Sequence, residues 1–295
     1  MSYLIVTDTA CDLPSRMLQD LKVDVIPLTA HFPDGRVLED GFKEMSSPEF
    51  FNYMRQGNVV TTSQVNMTLF YDKFKAVLEE YDALLYLGFS SGLSGTYQSS
   101  LLAKQTLEDE DQRYVGRIFT VDSLAASLGF GLTVLEACRV RDTGASVEAL
   151  FAYLEEARFH VNHWFTVDDL VYLKRGGRIS SMKAAMGTLL NIKPILYVNN
   201  EGKLIPISKA KGRKKSIHFL FDMFKQLYEP SMGKNFLICH GDCLEDAQLL
   251  KKLIMDAYDM NEPVIAPVGM VIGSHSGPGT LSLFFLGKPR ESFQL

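Results

Sequence analysis

Apolar positions in this chain fall into short unbroken blocks, separated by longer stretches where they recur every third or fourth residue. Residues 3–7 (Tyr3-Leu4-Ile5-Val6-Thr7), ending at Asp8, residues 83–89 and Ile118–Asp122 are blocks of the first kind. They predict strands covered on both faces. Residues 23–28 predict a fourth strand. Ser47-Pro48-Glu49 predicts a helix start, with Ser47 as the cap, Pro48 at the first helical position and an acid in the first turn. Further helices are predicted over about 69–80, 101–107, 124–140 and from a Ser146 cap to 158. Strands alternating with helices imply a mostly parallel α/β sheet. Ligands of such sheets sit at the carboxyl ends of the strands, where loops 7–13, 89–96 and 121–127 are expected to converge.

The second half has a different rhythm. Strands are predicted at 164–167, 236–239, 264–272 and 281–286, and helices at 214–228 and 247–258. Residues 170–173 predict a helical turn, followed by the turn Lys174-Arg175-Gly176-Gly177-Arg178. Residues 194–198 and 204–207 predict a hairpin across Asn199-Asn200-Glu201-Gly202. Paired strands among helices imply a mixed sheet. The expected fold class is therefore α/β with two domains: residues 1–156 around a mostly parallel sheet, and residues 157–295 around a mixed one. No Pro- or Ser-rich linker separates them, so close packing is expected, and the segment 61–66 is free to pack with the other domain.

The length of 295 residues agrees with two domains. A net charge of −5 argues against a general nucleic-acid binder. No apolar run approaches the ~18 residues of a membrane span. The opening Met-Ser-Tyr-Leu-Ile-Val-Thr-Asp has no basic segment, so it does not read as a signal peptide and a cytoplasmic protein is expected. Cys11, Cys138, Cys239 and Cys243 are scattered, and the last two with His240 form no familiar metal spacing, so no metal is expected.

Candidate chemistry gathers at three turns. Ser90-Ser91-Gly92-Leu93-Ser94-Gly95-Thr96 lies between a predicted strand and a predicted helix. Such a turn exposes unpaired N–H groups at the positive end of a helix dipole, a place for an anionic head group; a plain capped helix start is the alternative. Thr61-Thr62-Ser63-Gln64 reads as a capping segment. Ser274-His275-Ser276-Gly277-Pro278-Gly279-Thr280 reads as a tight loop carrying one titratable side chain, His275. Lys203, Lys209, Lys211, Arg213, Lys214 and Lys215 form a basic run without an acid: a solvated face, or a docking surface for an acidic protein or a phosphate. No phosphate-binding Gly-x-x-x-x-Gly-Lys-Ser/Thr, no Gly-x-Gly-x-x-Gly after the first strand and no Gly-x-Ser-x-Gly is present.

Taken in order, several stretches resemble the DegV family of fatty acid-binding proteins: Thr7-Asp8-Thr9-Ala10-Cys11-Asp12-Leu13-Pro14, Thr62-Ser63-Gln64, 90–100, Val121-Asp122-Ser123, 170–179, Lys193-Pro194-Ile195-Leu196, 209–215 and His275-Ser276-Gly277-Pro278-Gly279-Thr280. Departures are few: Thr9-Ala10 where Ser-Thr is common, Ser276 for Thr, and Lys211 for Arg. The resemblance implies two α/β domains with a long-chain fatty acid between them, and no cofactor besides that ligand. It implies a carboxylate held by Thr62, Ser94, Gly95 and His275, with Asp8, Ser63, Ser123 and Gly277 in supporting loops. It implies a separate fatty acid kinase as partner, supplying ATP to make the acyl phosphate, with Arg175, Arg178, Lys209 and Arg213 as candidates for kinase docking or phosphate contact. Nucleic acid is no partner; transient membrane contact is left open. A stand-alone acyl-ester hydrolase using Ser94 and His275 is the alternative, as is a lipid-responsive sensor.

Overall fold

Blocks that are apolar without alternation belong in the middle of sheets covered on both sides, and here they take those places. In a computed structural model, which describes residues 2–179 and 191–294, three sheets hold the strands. The first carries β1 (Tyr3–Asp8), β2 (Asp24–Ile26), β6 (Ala83–Gly88) and β7 (Ile118–Asp122) in the order β2-β1-β6-β7, all parallel. A small antiparallel sheet, β4-β3-β5, is made of β3 (Thr29–His31), β4 (Val37–Glu39) and β5 (Thr61–Ser63). The third is mixed, with β8 (Val161–Thr166), β9 (Ile192–Val198), β10 (Leu204–Lys211), β11 (Phe236–His240), β12 (Val264–Pro267) and β13 (Leu281–Leu286) in the order β10-β9-β8-β13-β11-β12. Only β11 and β12 pair in parallel there. The fold is a two-domain α/β architecture, as the alternation of elements implied.

Among the described residues the α-helices are α1 (Ser15–Asp20), α2 (Ser47–Arg55), α3 (Met67–Glu80), α4 (Thr96–Glu110), α5 (Ser127–Arg141), α6 (Val147–Ala157), α7 (Val171–Arg175), α8 (Arg213–Leu227), α9 (Leu244–Ala257) and α10 (Met270–Ser276). None is long and apolar enough to cross a membrane. Helix α5 is the keystone. Ser127 through Val134 are all buried, whichever face they lie on, as expected of a helix sandwiched between layers. It packs against β1 of the first sheet and against β8, β11 and β13 of the third. One apolar core consequently runs from Ile5 and Val6 through α5 to Phe284 and Leu286.

Four local readings need correction. The cap of α2 is Ser46, not Ser47: Ser46 Oγ accepts from Glu49 N, and Glu49 Oε2 accepts from Ser46 N at 2.8 Å. This reciprocal capping box outcompetes a cap one residue later. Thr61-Thr62-Ser63 does not cap α3; it forms β5, and Asn66 caps α3 by accepting from Leu69 N at 2.9 Å. The strand read over 264–272 ends at Pro267, and residues 270–276 are helical. Gly269 precedes the helix, whose first N–H, from Met270, donates to Asp40 Oδ1 at 2.7 Å. His275 therefore stands on the last turn of a helix and not in a loop, and only Gly277 onward forms the tight turn.

Candidate functional site

The loop after β6 is shaped from below by a carboxylate. Asp8, fully buried at the end of β1, accepts from Tyr86 Oη (2.7 Å), Phe89 N (3.0 Å) and Ala10 N (3.1 Å). Burial raises its pKa to about 6 against the lowering effect of those bonds. Ser90 N donates to Ala125 O (3.1 Å), and Ser123 Oγ accepts from Ala125 N (3.2 Å), so the three loops at the carboxyl ends of β1, β6 and β7 meet as expected. Asp8 and Ser123 are scaffold beneath the site. Gly277 is also outside the cavity wall; it turns the chain at φ 82° where an added Cβ would strike the ring of Tyr172.

Above these loops lies a cavity of about 580 Å³, inside the ~300–1,000 Å³ range of small-molecule sites. Thr62, Ser63, Ser94, Gly95 and His275 all line it. Strand β5 brings Thr62 across to α10, and Thr62 Oγ1 sits 2.8 Å from His275 Nε2. Ser94 Oγ bonds Thr96 Oγ1 at 2.9 Å and accepts from Thr96 N at 3.2 Å, at the opening of α4. Ser63 Oγ turns the other way, to His31 Nε2 at 2.7 Å. The rest of the wall mixes polar side chains with an apolar set that includes Leu28, Phe89, Leu93, Phe165, Leu173 and Val271. Thr62, Ser94 and His275 thus form a polar patch drawn from both halves of the chain, next to a cluster of apolar side chains.

The four basic candidates separate. Arg178 is part of the cavity wall, its Nε donating to Leu93 O at 3.1 Å. Arg175 lies over the Tyr172 ring, 5.7 Å from its centroid. Lys209 is exposed on β10, the sheet edge, where a lysine also deters another strand from adding. Arg213 is occupied: its Nε meets Asp246 Oδ2 at 2.8 Å, and Nη2 donates to Cys243 Sγ at 3.2 Å. Sequence reasoning missed His163, Ser127, Ser276 and Ser282 on the wall. Alternation along β8 and β13 places His163 with Phe165, and Ser282 with Phe284, on one face of each strand, but nothing in the sequence marked that face as facing a void.

Burial, helped by the charge of Arg178, lowers the pKa of His275 to about 4. Its ring is neutral at pH 7, with one nitrogen donating and the other accepting. Gly176 makes room for it: a Cβ there would come 2.1 Å from His275 Nδ1. Burial similarly lowers His163 to about 3. Imidazoles protonate in the unfolded chain near 6.5, so these two contribute stability that is complete above that pH and is lost as pH falls toward 4. Asp8 and Asp40, raised by burial to about 6 and about 7, act oppositely: their contribution is greatest in acid and is lost as pH rises through those values. Asp12, raised by burial and by the neighbouring Asp40, adds to the carboxyl side. Three carboxyls against two imidazoles should make urea stability rise modestly as pH falls from about 6.5 to 4. Asp40→Asn removes one carboxyl and should flatten that rise; an unchanged slope contradicts this balance.

This architecture is widely shared. Residues 2–288 match the family model described as an uncharacterised protein of the DegV family. A DegV domain-containing protein of Clostridium perfringens is 42% identical over 98% of this chain and 99% of its own. A DegV family protein of Thermus thermophilus whose structure is described in terms of fatty acid binding is 34% identical, with a TM-score of 0.86 over 97% of this chain and 100% of that one. DegV of Bacillus subtilis, described as a fatty acid binding protein, is 29% identical, with a TM-score of 0.82 over 98% of this chain and 100% of its own. The ordered motifs, the three-sheet topology and these near-complete alignments agree, and the chain belongs to the DegV family.

Proposed function

We propose that this protein binds a long-chain fatty acid in the 580 Å³ cavity, its carboxylate at Thr62, Ser94, Gly95 and His275, and presents that carboxylate to a separate ATP-dependent kinase for conversion to acyl phosphate. The lobes that clasp the ligand are divided after residue 156. The observation that carries this reading is the convergence of Thr62 and His275, 213 positions apart in sequence and 2.8 Å apart in space, on a chamber with an apolar cluster in its wall.

The energetics are favourable. Burying ~12 methylenes at ~0.8 kcal/mol each gives about 10 kcal/mol before association and chain-ordering costs. The tail can supply the affinity, so the head-group residues have only to satisfy a carboxylate that would be costly to bury unpaired. Two hydroxyls, a neutral imidazole and the nearby Arg178 suffice for that, and leave an oxygen approachable by a phosphoryl donor. The hydrolase alternative is poorly supported: Ser94 Oγ is bonded to Thr96, His275 Nε2 to Thr62, and among the described residues no side chain bonds His275 Nδ1 to orient it as a base.

Mass spectrometry of the denatured, purified protein should release a fatty acid. Thr62→Ala and Ser94→Ala should each weaken acid binding by about tenfold or more, a bond to a charged group being worth ~1.5–3 kcal/mol, with an unchanged midpoint of unfolding. Unaltered binding and phosphorylation in both variants would refute the head-group assignment. Arg175→Glu with Lys209→Glu should impair phosphorylation by a partner kinase and leave acid binding intact; loss of both together would mark these as structural positions.

A further inference from the structure

Deep in the cavity wall stands a polar group for which the carboxylate has no use. His163 on β8 is 5% exposed and lines the cavity between Phe165 and the edge of Phe284, whose ring centroid lies 4.5 Å away. Its Nδ1 is buried against the backbone of α5 at Gly129, where an added Cβ would come within 3.1 Å, and it has no hydrogen-bond partner among the described residues. Among the described residues Nε2 makes no hydrogen bond either. Buried polar groups are nearly always paired, and a neutral imidazole offers one donor and one acceptor. Ser282, two residues from Phe284 on β13 and facing the same side, lines the same cavity.

This place is remote from the head group. Thr280 lines the cavity beside the Gly277 turn that follows His275, its Oγ1 donating to Gly277 O at 2.8 Å. Four residues along, roughly 13 Å at a strand's rise, Phe284 stands directly opposite His163. A chain whose carboxylate lies at His275 reaches His163 with its middle or far methylenes.

We propose that the cavity is built for an acyl chain bearing a hydrogen-bonding oxygen along its length, a hydroxyl or keto group that meets the imidazole of His163 with Ser282 close by. A plain alkyl tail covers His163 and leaves it unpaired. A hydroxyl at that depth can accept from Nε2, donate to it, or turn to Ser282, and so pairs the ring nitrogen that an alkyl tail would otherwise cover, while Nδ1 stays against Gly129. The inference rests on the fatty-acid reading above and sharpens it to a ligand class.

The test compares binding of stearic acid with stearic acids hydroxylated beside the carboxyl, at mid-chain and near the methyl end. The wild type should favour one of the two remote hydroxyl positions by about tenfold over stearic acid, which corresponds to ~1.4 kcal/mol, and should show no gain for the hydroxyl beside the carboxyl. In His163→Phe the preference should vanish or reverse; in His163→Gln, which keeps a donor and an acceptor, it should persist in part. Equal affinity of the wild type for all four acids overturns the proposal, even where the variants fail to fold, and so does a preference that survives His163→Phe. If the wild type binds none of the acids, the fatty-acid reading itself falls, an outcome distinct from binding without preference.

Discussion

Replacing Arg290 with Met is expected to cost about 3–5 kcal/mol of folding stability, read as a lower urea midpoint with an unchanged slope. Arg290 is 1% exposed, yet among the described residues it is in no salt bridge. Its Nη1 donates to Leu124 O (2.7 Å) and Asn199 O (3.1 Å), and its Nη2 to Arg158 O. One guanidinium thus ties the loop before α5, the β9–β10 hairpin and the chain entering β8. Burial lowers its pKa to about 10, so it remains a cation at neutral pH. Methionine replaces the apolar stem but leaves three carbonyls without their donor, each worth ~1–3 kcal/mol when buried. A loss under ~1 kcal/mol would show that these carbonyls find water or other donors.

Gly92→Val should be the most damaging single change to ligand binding outside the cavity wall. Gly92 N donates to Ser90 Oγ at 3.2 Å, and what matters here is the space at its Cα. An added Cβ would fall 2.5 Å from Glu201 O and 2.9 Å from Gly202 O, backbone atoms of the β9–β10 hairpin. Ser90 Oγ donates to Gly202 O at 2.8 Å in the same contact. Backbone cannot swing aside as a side-chain tip can, so either the hairpin lifts or the 89–95 loop retreats. Overpacking of this kind costs ~1–3 kcal/mol. Leu93, Ser94 and Gly95 ride on the displaced loop and line the cavity, so fatty acid affinity should fall more than tenfold. Affinity and stability both at wild-type level would mean that the two halves tolerate separation here.

The large elements were legible because burial on two faces leaves an unmistakable run of apolar residues. Residues 83–89, Ile118–Asp122 and 281–286 needed only that pattern. The three-residue strands β3 and β4 carry too few positions for any period to show. Thr61–Ser63 is polar and barely covered; it is a strand because Thr29–His31 lies beside it, a tertiary fact. The residues 264–272 are apolar enough to be strand throughout, and what breaks them is Asp40, some 230 positions away, capturing Met270 N. At the site, ordered motifs were enough to nominate Thr62, Ser94 and His275, which line one cavity. They were not enough to distinguish Arg178, which is in the wall, from Arg213, already bonded to Asp246, because ion pairing across the fold leaves no local trace.

Helix α5 would also restrict how a bound acyl chain comes and goes. A clamshell opening between the two sheets would strip that helix from one of them, and at ~25 cal/mol per Å² the apolar surface uncovered would add to the barrier. Small excursions at the rim, such as of α7, which borders the chamber through Leu173, would leave the core around α5 intact. On the fatty-acid reading, exchange of this sort would follow local opening rates on the microsecond-to-millisecond scale, so a tail held firmly at equilibrium would still exchange promptly.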